Sequence, residues 1–371
     1  MTYTTLTAAT TGLAPYGFDP ALQARFAERA AAVVDNAVRG SLRPLDEAAL
    51  PRLPALGSAA RQALTARGEA AIRAGQVGVV VLAGGMATRF GGVVKAVVPA
   101  HDGASFLTWK HRDVAGVARA LGVQIPMYVM SSFATHDTLL DHVAQVGLGD
   151  PAPVRIFPQR VALRLTPEGA LFHDAEGALS PYATGHGDLV DALRSSGVLA
   201  EFRAAGGRVL FMTNVDNLGA SLDPALVGLH LELGGAITAE VVRKAPGDAG
   251  GAPALLDGVP QIIEGFRFPP AFDPSTIGVF NTNTLWLDAG AVDRDFELPY
   301  YRVAKKVGGA PVIQFERLVG ELTALVPSRF VEVSREGDDC RFIAVKDPND
   351  LVQNATLIGV RCGGRGATVP K

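Results

Sequence analysis

The pattern of apolar and polar positions divides the chain into a helical first part and a longer part in which strands and helices alternate. Residues 1–75 contain two helical stretches. The first begins at Asp19-Pro20, where a capping side chain precedes a proline at the first helical position, and alanine, leucine and arginine then recur to about Gly40. The second spans residues 58–74. We interpret both as peripheral packing helices and assign no chemistry to them.

From Gln76 to about Lys244, short apolar runs alternate with stretches of helical periodicity. Such alternation predicts an α/β fold, a mostly parallel sheet flanked by helices on both faces. Ligands of such sheets bind at the carboxyl ends of the strands, so the residues that follow each strand are the functional candidates. The predicted strands are 77–83, 125–131, 153–157, 207–213 and 236–243, and the predicted helices lie near 105–121, 135–146, 187–205 and 223–233.

The last third of the chain is less regular. Residues 245–275 are rich in glycine and proline and predict a hairpin or a small lobe. A strand near 278–287, a helix near 315–323, strands near 325–345 and a helix from Asp347 complete the predicted fold.

Composition and charge restrict the class of protein. The chain has 371 residues, 48% hydrophobic and 19% charged, as in a globular protein. A net charge of -3 and a pI of about 6.2 provide no basic field for nucleic acid. The densest apolar stretch, residues 77–83, is too short to cross a bilayer. We therefore expect neither a nucleic acid nor a membrane as partner.

Two further features bear on location. The first residues, MTYTTLTAATTG, contain no cationic segment followed by an apolar one, so we expect no signal peptide. Cys340 and Cys362 fit neither a metal-binding pattern nor a disulfide framework. A reducing cytoplasm is the expected compartment.

The most informative motif is GVVVLAGGMATRFGGVVK, a buried-strand pattern that stops at Gly84-Gly85. Glycines let a backbone approach a ligand closely, and Thr88, Arg89 and Lys95 follow in the same loop. Amide groups and cations at the end of a strand make an anion site. The alternative is a tight turn without a ligand. The spacing matches neither the dinucleotide fingerprint nor the P-loop.

A second motif, YATGHGD, opens a predicted helix. Gly185 could contact a planar base through its backbone, and His186 could contact a sugar. The alternative is a glycine-rich N-cap with Asp188 in the first helical turn. His186 is a poor candidate for a general base, because an ionised phosphate nucleophile has no proton to remove.

A third motif, VLFMTNVDNLGASLDP, runs a buried strand into Asn214, Asp216 and Asn217. A carboxylate at the tip of a parallel strand is well placed to hold Mg²⁺ against a triphosphate. The alternative is an Asx turn that closes the strand.

Two later motifs carry weaker signals. In VFNTNTLWLD, the amides of Asn281 and Asn283 could bind sugar hydroxyl groups, or the segment could be a bulged edge strand. In RFIAVKDPNDL, Lys346 precedes a capped helix, where a cation opposes the helix dipole. A bound anion nearby would explain a cation at this position. The alternative is an ordinary lysine at the start of a helix, with no ligand.

Taken in order, GG-x-x-T, GHGD, NVDNLGA, FNTNTLW and RFIAVK resemble the eukaryotic-type UDP-glucose pyrophosphorylases (UTP–glucose-1-phosphate uridylyltransferases). The resemblance extends from about Gly78 to Leu351. It implies a Rossmann-like sheet of the nucleotide-diphospho-sugar transferase type with a helical N-terminal segment. It also implies the following division: a helical segment 1–75, a nucleotide-binding core 76–244, a sugar-binding part that completes the core at 245–346, and a C-terminal helix and tail 347–371.

The resemblance implies a role for each matching residue. On the nucleotide side these are Leu82, Ala83, Gly84 and Gly85 in the loop that cradles UTP, Lys95 on its phosphates, and Gln159 (in FPQR) and Gly185 on uracil. On the sugar and metal side they are His186 and Asn283 on the sugar, Asn214 and Asp216 at the sugar-nucleotide and metal positions, Lys346 on the phosphates, and Glu264 (in QIIEG) on glucose. The implied cofactor is Mg²⁺ at Asp216.

The chain also departs from the family pattern. Val94 precedes Lys95 where the family usually has proline, after a slightly shorter segment. Ala87 stands where glycine is usual, and Arg89 is as in the N-acetylglucosamine relatives. Because the chain ends soon after Leu351, we expect the family's C-terminal β-helix to be absent.

The expected reaction joins UTP and glucose 1-phosphate to form UDP-glucose and pyrophosphate by Mg²⁺-assisted in-line attack. No protein nucleophile is needed, and Lys95, Lys346 and Arg89 would neutralise charge. One alternative is uridylyl transfer to another or several sugar 1-phosphates. A second is a catalytically weak sugar-nucleotide-binding protein, while a nicotinamide-dependent oxidoreductase lacks its fingerprint. The sequence leaves the oligomeric state open.

Overall fold

The computed structural model describes residues 10–32, 34–248 and 250–366, so the predictions for 1–9 and 367–371 lie outside the described residues. Its centre is a seven-stranded sheet with the order β7-β5-β6-β4-β1-β2-β3. Neighbouring strands run parallel, except that β6 is antiparallel to both β5 and β4. The predicted mostly parallel sheet is confirmed. In chain order the strands are β1 (Val77–Leu82), β2 (Met127–Ser131), β3 (Val154–Pro158), β4 (Val209–Asn214), β5 (Ile237–Arg243), β6 (Val279–Asp288) and β7 (Ser328–Glu332).

Strand β1 is buried along its whole length. Val79 and Val81 pack into the hydrophobic core on one face of the sheet, whereas Val80 and Leu82 pack into the core on the other face. Helices cover both faces, so the strand is a continuous apolar run rather than an alternating one. Its carboxyl end is thereby held in the middle of the sheet, between β4 and β2.

The helices begin where capping side chains predict them. Asp19 accepts hydrogen bonds from the backbone N–H groups of two following residues, and Ser58 caps the second helix in the same way. The predicted continuous helix over 187–205 is instead two helices, because Gly197 between them has a φ of 76°. The helices are α1 (Pro20–Ala30), α2 (Ala59–Arg73), α3 (Phe106–Leu121), α4 (His136–Val146), α5 (Leu189–Ser195), α6 (Val198–Ala204), α7 (Pro224–Leu233), α8 (Pro348–Gln353) and α9 (Ala355–Gly366).

The first predicted helix is too long, since α1 ends at Ala30 rather than near Gly40. Beyond it, the backbone N–H of Val38 donates to the carbonyl of Arg267 at 2.9 Å. The segment therefore pairs with a distant loop instead of continuing the helical hydrogen-bond pattern.

Near the C-terminus one prediction is wrong and another is only partly right. The helix predicted near 315–323 is absent from the described residues, because Ala310–Glu316 forms a hairpin with Tyr301–Val307 and only a 3₁₀ turn, Val319–Ala324, follows. Of the strands predicted over 325–345, only β7 forms within the described part of the chain. The sequence pattern does not predict this hairpin.

The glycine- and proline-rich stretch contains the predicted hairpin, Ala252–Leu256 paired with Val259–Ile263. Its two turn residues, Asp257 and Gly258, have φ values of 51° and 83°, which a type I′ turn requires. Residues Leu42–Pro44 add a third strand to this small sheet.

Helix α2 packs against α7 with their backbones in direct contact. A Cβ atom on Gly68 would lie 1.8 Å from the carbonyl oxygen of Pro224, and one on Gly228 would lie 2.0 Å from that of Leu64. Leu64 and Ile72 of α2 belong to the main hydrophobic core. The N-terminal helical segment is therefore built into the fold. Among the described residues, no helix combines the length and apolar character needed to cross a membrane.

Candidate functional site

The glycine motif and the NVDN motif meet at the carboxyl edge of the sheet. Asn214, the last residue of β4, is the register partner of Leu82, the last residue of β1. The backbone N–H of Val215 donates to the carbonyl of Leu82 at 3.1 Å. Both motifs therefore leave the sheet side by side, as the parallel arrangement predicts.

The glycine turn is shaped around the side chain of Gln159. A Cβ atom on Gly84 would lie 2.1 Å from Nε2 of Gln159, so any larger residue would displace that amide. Gln159 is buried, and its Oε1 atom has no hydrogen-bond donor among the described residues. The hydroxyl group of Ser132 donates a hydrogen bond to the carbonyl of Gly84 at 2.8 Å and so holds the turn in place. An orphaned buried acceptor beside a glycine backbone is suited to the N–H edge of a planar base.

A short hairpin returns the chain to this turn. Met86–Ala87 pairs with Val93–Val94, and the N–H of Lys95 donates to the carbonyl of Gly85 at 3.3 Å. The altered loop, with Ala87 and Val94, therefore still places Lys95 beside the glycine pair.

Two lysines converge on Asp216. The Nζ atom of Lys346 lies 3.4 Å from Oδ2 of Asp216, and the Nζ atom of Lys95 lies 3.9 Å from the same oxygen. Lys95 also donates to the carbonyl of Val345 at 2.6 Å and lies 4.5 Å from the ring centroid of Phe90. Burial lowers the pKa of Lys95, and the Asp216 carboxylate opposes that shift.

The two lysines differ in freedom of movement. The side chain of Lys95 is 10% exposed and held by a carbonyl, whereas that of Lys346 is 55% exposed. Arg89, the third predicted cation, is exposed in the 3₁₀ turn Thr88–Phe90, and no ion pair joins it to Asp216. The structure thus brings together Lys95, Lys346 and Asp216, and leaves Arg89 outside that group.

Asn217 of the same motif points into the protein rather than toward a ligand. Its Oδ1 atom accepts from the N–H of Ile343 at 2.9 Å and from that of Gly219 at 3.2 Å. Its Nδ2 group donates to the carbonyl of Arg341 at 3.3 Å. Asn217 therefore ties down the segment that carries Lys346, and of the three polar residues that follow this strand it is the one that does not face a ligand.

Two buried cations that the sequence pattern does not predict hold the two segments that Asn217 joins, Arg341 in one and Lys110 against the other. Arg341 forms a fully buried ion pair with Glu240, with Nε 2.6 Å from Oε2. Lys110 donates to the carbonyls of Asn217 and Ala220 at 2.5 and 2.6 Å, and burial lowers its pKa to about 8. The only signal in the sequence is a cation within an apolar pattern, which does not identify its partner.

The FNTN motif lies next to Asn214. The Nδ2 group of Asn283 donates to Oδ1 of Asn214 at 3.0 Å. Asn283 has a φ of 54°, and its N–H donates to Oδ1 of Asn281 at 3.1 Å. The pairing of β5 with β6 shifts register between Glu240 and Val241, so the bulge interpretation is right, although β6 is an interior strand rather than an edge strand.

The GHGD motif packs against residues 317–319. A Cβ atom on Gly185 would lie 2.5 Å from the carbonyl oxygen of Arg317, and Gly185 has a φ of 98°. Nδ1 of His186 accepts from the N–H of Val319 at 3.0 Å, and burial lowers the pKa of His186 to about 4. The ring is therefore neutral, and its proton is on Nε2, where it can donate a hydrogen bond.

Asp188, the last residue of that motif, is structural. It is buried, it accepts from Nε of Arg317 at 2.5 Å, and the Thr184 hydroxyl donates to it. The helix-capping alternative for this residue is thus replaced by a buried ion pair.

The donor set at Asp216 suits a magnesium ion that is shared with a substrate. No group of three or more histidine, cysteine, aspartate or glutamate side chains among the described residues could hold a metal ion. Mg²⁺ is characteristically bound through one or two carboxylates, with substrate phosphates and water completing its octahedron. The carboxylate of Asp216 beside the two lysines fits that pattern.

Comparisons with known proteins found relatives both in sequence and in fold. The family described as UTP--glucose-1-phosphate uridylyltransferase has a sequence model that matches residues 30–358. A probable UTP--glucose-1-phosphate uridylyltransferase of Schizosaccharomyces pombe is 29% identical over 297 residues, which cover 75% of this chain and 58% of that protein. The UTP--glucose-1-phosphate uridylyltransferase of Solanum tuberosum is 28% identical over 290 residues, covering 74% and 60%. The chain thus spans less than two thirds of the length of these relatives.

Solved structures share the fold. A UDP-glucose phosphorylase from Trypanosoma brucei superposes with a TM-score of 0.73 at 23% identity, covering 95% of this chain and 78% of that one. A putative UDP-N-acetylglucosamine pyrophosphorylase from Entamoeba histolytica has a TM-score of 0.72 at 18% identity, covering 84% of each chain.

Proposed function

The chain belongs to the UTP–glucose-1-phosphate uridylyltransferase family, and we propose that it transfers a uridylyl group from UTP to glucose 1-phosphate, forming UDP-glucose and pyrophosphate. The observation that carries the proposal is the convergence of Lys95 and Lys346 on Asp216, directly beside the glycine turn. Two cations, one carboxylate and a bare backbone form a site for a polyphosphate and its metal ion.

In the proposed reaction, an oxygen of the sugar phosphate attacks the α-phosphorus of UTP in line. The new O–P bond forms as the bond between the α-phosphorus and the bridging oxygen breaks, and pyrophosphate leaves with that electron pair. The nucleophile is already ionised, so no side chain has to remove a proton. The protein contributes position and charge.

Each cation has a distinct task in this proposal. Lys95, held by the carbonyl of Val345, is a fixed positive charge for the α-phosphate. Lys346 is exposed enough to move from Asp216 onto the phosphates when they arrive. Asp216 would hold Mg²⁺, which supplies further neutralisation of the triphosphate charge.

The uridine would lie over Gly84 and Gly85, with its imide N–H satisfying Oε1 of Gln159 and its edge against the backbone of Gly185. The sugar would lie toward Nε2 of His186, Glu264 and the paired amides of Asn214 and Asn283. This arrangement is supported by the orphaned glutamine oxygen and by the amide pair at the end of β4.

A second candidate is uridylyl transfer to several sugar 1-phosphates, which the shared fold of the N-acetylglucosamine relative and the exposed Arg89 favour. A catalytically weak sugar-nucleotide-binding protein is the main competitor to both catalytic functions.

We further propose a reducing, cytoplasmic location, since neither Cys340 nor Cys362 forms a disulfide among the described residues.

The test is pyrophosphate release from UTP, TTP and GTP with a panel of sugar 1-phosphates, with and without Mg²⁺. The proposal requires Mg²⁺-dependent release with UTP and glucose 1-phosphate. Equal release with N-acetylglucosamine 1-phosphate would favour the broader activity. Binding of UDP-glucose without any release would favour the sugar-nucleotide-binding protein.

A further inference from the structure

The carboxyl group of Glu264 lies in a narrow space between two glycines. A Cβ atom on Gly251 would lie 3.0 Å from Oε1 of Glu264, and one on Gly320 would lie 3.6 Å from the same atom. A side chain at position 251 would crowd the carboxyl group, and one at position 320 would make ordinary van der Waals contact with it. Both glycines therefore leave room for the carboxyl group of Glu264.

Arg267, the cation nearest to Glu264, already forms an ion pair with another carboxylate, that of Glu321. Nη1 of Arg267 donates to both carboxylate oxygens of Glu321, at 2.6 and 2.5 Å, and the two side chains are 16% and 7% exposed. The guanidinium also lies 5.2 Å from the ring centroid of Tyr301. Although Arg267 follows Glu264 by three residues, its charge neutralises Glu321.

Glu264 is consequently an uncompensated acid beside a second carboxylate. No described residue donates a hydrogen bond to its side chain, and Glu321, Arg267 and Tyr301 are the titratable or charged groups that face it. Burial, and then the charge of Glu321, raise the pKa of Glu264 to about 7, against the weaker opposing effect of Arg267.

This cluster adjoins both sides of the predicted sugar site. Gly320 follows Val319, whose N–H donates to His186. Gly251 accepts from the N–H of Asn281 at 3.0 Å, two residues before Asn283. One glycine beside Glu264 thus follows the residue bonded to His186, and the other is bonded to the segment that carries Asn283.

We propose that the Arg267–Glu321 ion pair keeps Glu264 a neutral carboxylic acid, which donates one hydrogen bond to the sugar hydroxyl groups and accepts another. The inference rests on the proposed function, because it names how that site recognises its sugar. Glu264 is the specificity residue, and Arg267 and Glu321 are positioning residues that act through it.

The protonation state of Glu264 decides which hydrogen bonds it can form with a sugar. A hydroxyl group both donates and accepts, and a protonated carboxyl group offers both complements, whereas a carboxylate only accepts. The bound sugar removes the remaining water from Glu264 and makes its ionised form still less favourable beside Glu321. The sugar is therefore bound more tightly by the protonated form.

The test measures the dissociation constants of UDP-glucose and of the methyl ester of UDP by calorimetry between pH 5.5 and 8.5. The methyl group esterifies the terminal phosphate, so both ligands carry the same diphosphate charge at every pH and differ only in the sugar. In the wild-type protein the dissociation constant of the methyl ester divided by that of UDP-glucose is constant at low pH and falls by up to tenfold per pH unit above a midpoint near 7.

Three variants distinguish tuning by the ion pair from a merely structural role. Glu321→Gln removes the repelling charge and releases Arg267 to Glu264, so the midpoint moves to lower pH. Arg267→Gln leaves two unneutralised carboxyl groups, so the midpoint moves to higher pH. Glu264→Gln donates and accepts at every pH, so its profile is flat. Glu332→Gln breaks a different, 14% exposed ion-pair partner and keeps the wild-type midpoint.

The outcomes separate the two proposals. If the protein binds neither the methyl ester of UDP nor UDP-glucose, the proposed function is overturned and this inference with it. If both bind and the wild-type ratio does not change with pH, or the two ion-pair variants shift it in the same direction, the inference alone is overturned.

Discussion

The Nζ atom of Lys346 lies 3.4 Å from Oδ2 of Asp216, although 130 residues separate them in the chain. The contact exists because Asn217, next to Asp216, binds residues 341–343 through both ends of its side chain. A backbone hydrogen bond joins the same two segments, since the N–H of Val345 donates to the carbonyl of Asp216 at 3.0 Å. Asp216 thus supplies the carboxylate, and Asn217 next to it holds the segment that carries Lys346.

Replacing Lys346 with methionine removes a mobile positive charge from the site. We expect kcat/KM for UTP and glucose 1-phosphate to fall by about 100-fold or more, equivalent to ~3 kcal/mol of transition-state stabilisation. Because the side chain is 55% exposed, thermal stability should not change. Lys306→Met, an exposed lysine on the Tyr301–Val307 hairpin, is the matched control. Full turnover by the Lys346 variant would remove this residue from the mechanism.

Replacing Arg89 with alanine tests the cation that the structure leaves apart. It is exposed and has no ion pair with Asp216, so we expect a loss in kcat/KM of less than about tenfold, well below that of an organised donor. The measurement is the same pyrophosphate-release assay. A loss as large as that of the Lys346 variant would show that the loop moves to bring Arg89 onto the substrate.

Replacing Asn217 with alanine tests the link between the two segments. Three hydrogen bonds are lost and buried backbone groups are left without partners, so urea unfolding should show a loss of about 2–4 kcal/mol. Activity at temperatures where the variant is folded should also fall, because Lys346 is no longer held beside Asp216. Unchanged stability would mean that the Arg341–Glu240 ion pair and the backbone hydrogen bonds hold residues 341–343 without the side chain of Asn217.

Replacing Gly84 with alanine tests the glycine turn. The new Cβ atom meets the end of the Gln159 side chain, which can rotate away, so the protein should fold while its affinity for UDP falls at least tenfold. Gly149→Ala is the control, because its Cβ atom meets nothing within 4 Å. Calorimetric titration with UDP measures both. Equal affinities would exclude Gln159 from the nucleotide site.

The pH dependence of stability tests the state of His186. Burial lowers its pKa to about 4, and that of His230 to about 4. The unfolded chain therefore binds more protons between about pH 4 and 6.5, so the free energy of unfolding falls on acidification across this window. The slope should decrease by up to about 1.4 kcal/mol per pH unit in His186→Asn. A histidine NMR signal of His186 that titrates near pH 6.5 would contradict this assignment.

The sheet was predictable because its strands are local patterns. Residues 77–82 form an apolar run that can only be buried on both faces, and Ser58 and Asp19 cap helices through bonds to the next residues. The errors have the opposite origin. The segment after Ala30 pairs with Arg267, and Ala310–Glu316 pairs with another strand, so partners distant in sequence overrode local propensity.

By itself, the sequence determined the fold class, the family and the identity of most candidate residues, because strand ends and glycine turns are encoded within a few neighbouring positions. Only the tertiary structure decided which candidates meet: Lys95 and Lys346 at Asp216, Asn217 in the interior, Arg89 apart, and Glu264 beside an ion pair that neutralises its nearest cation. The physical reason is that charge, hydrogen bonding and burial depend on distances of a few ångströms between residues far apart in the chain.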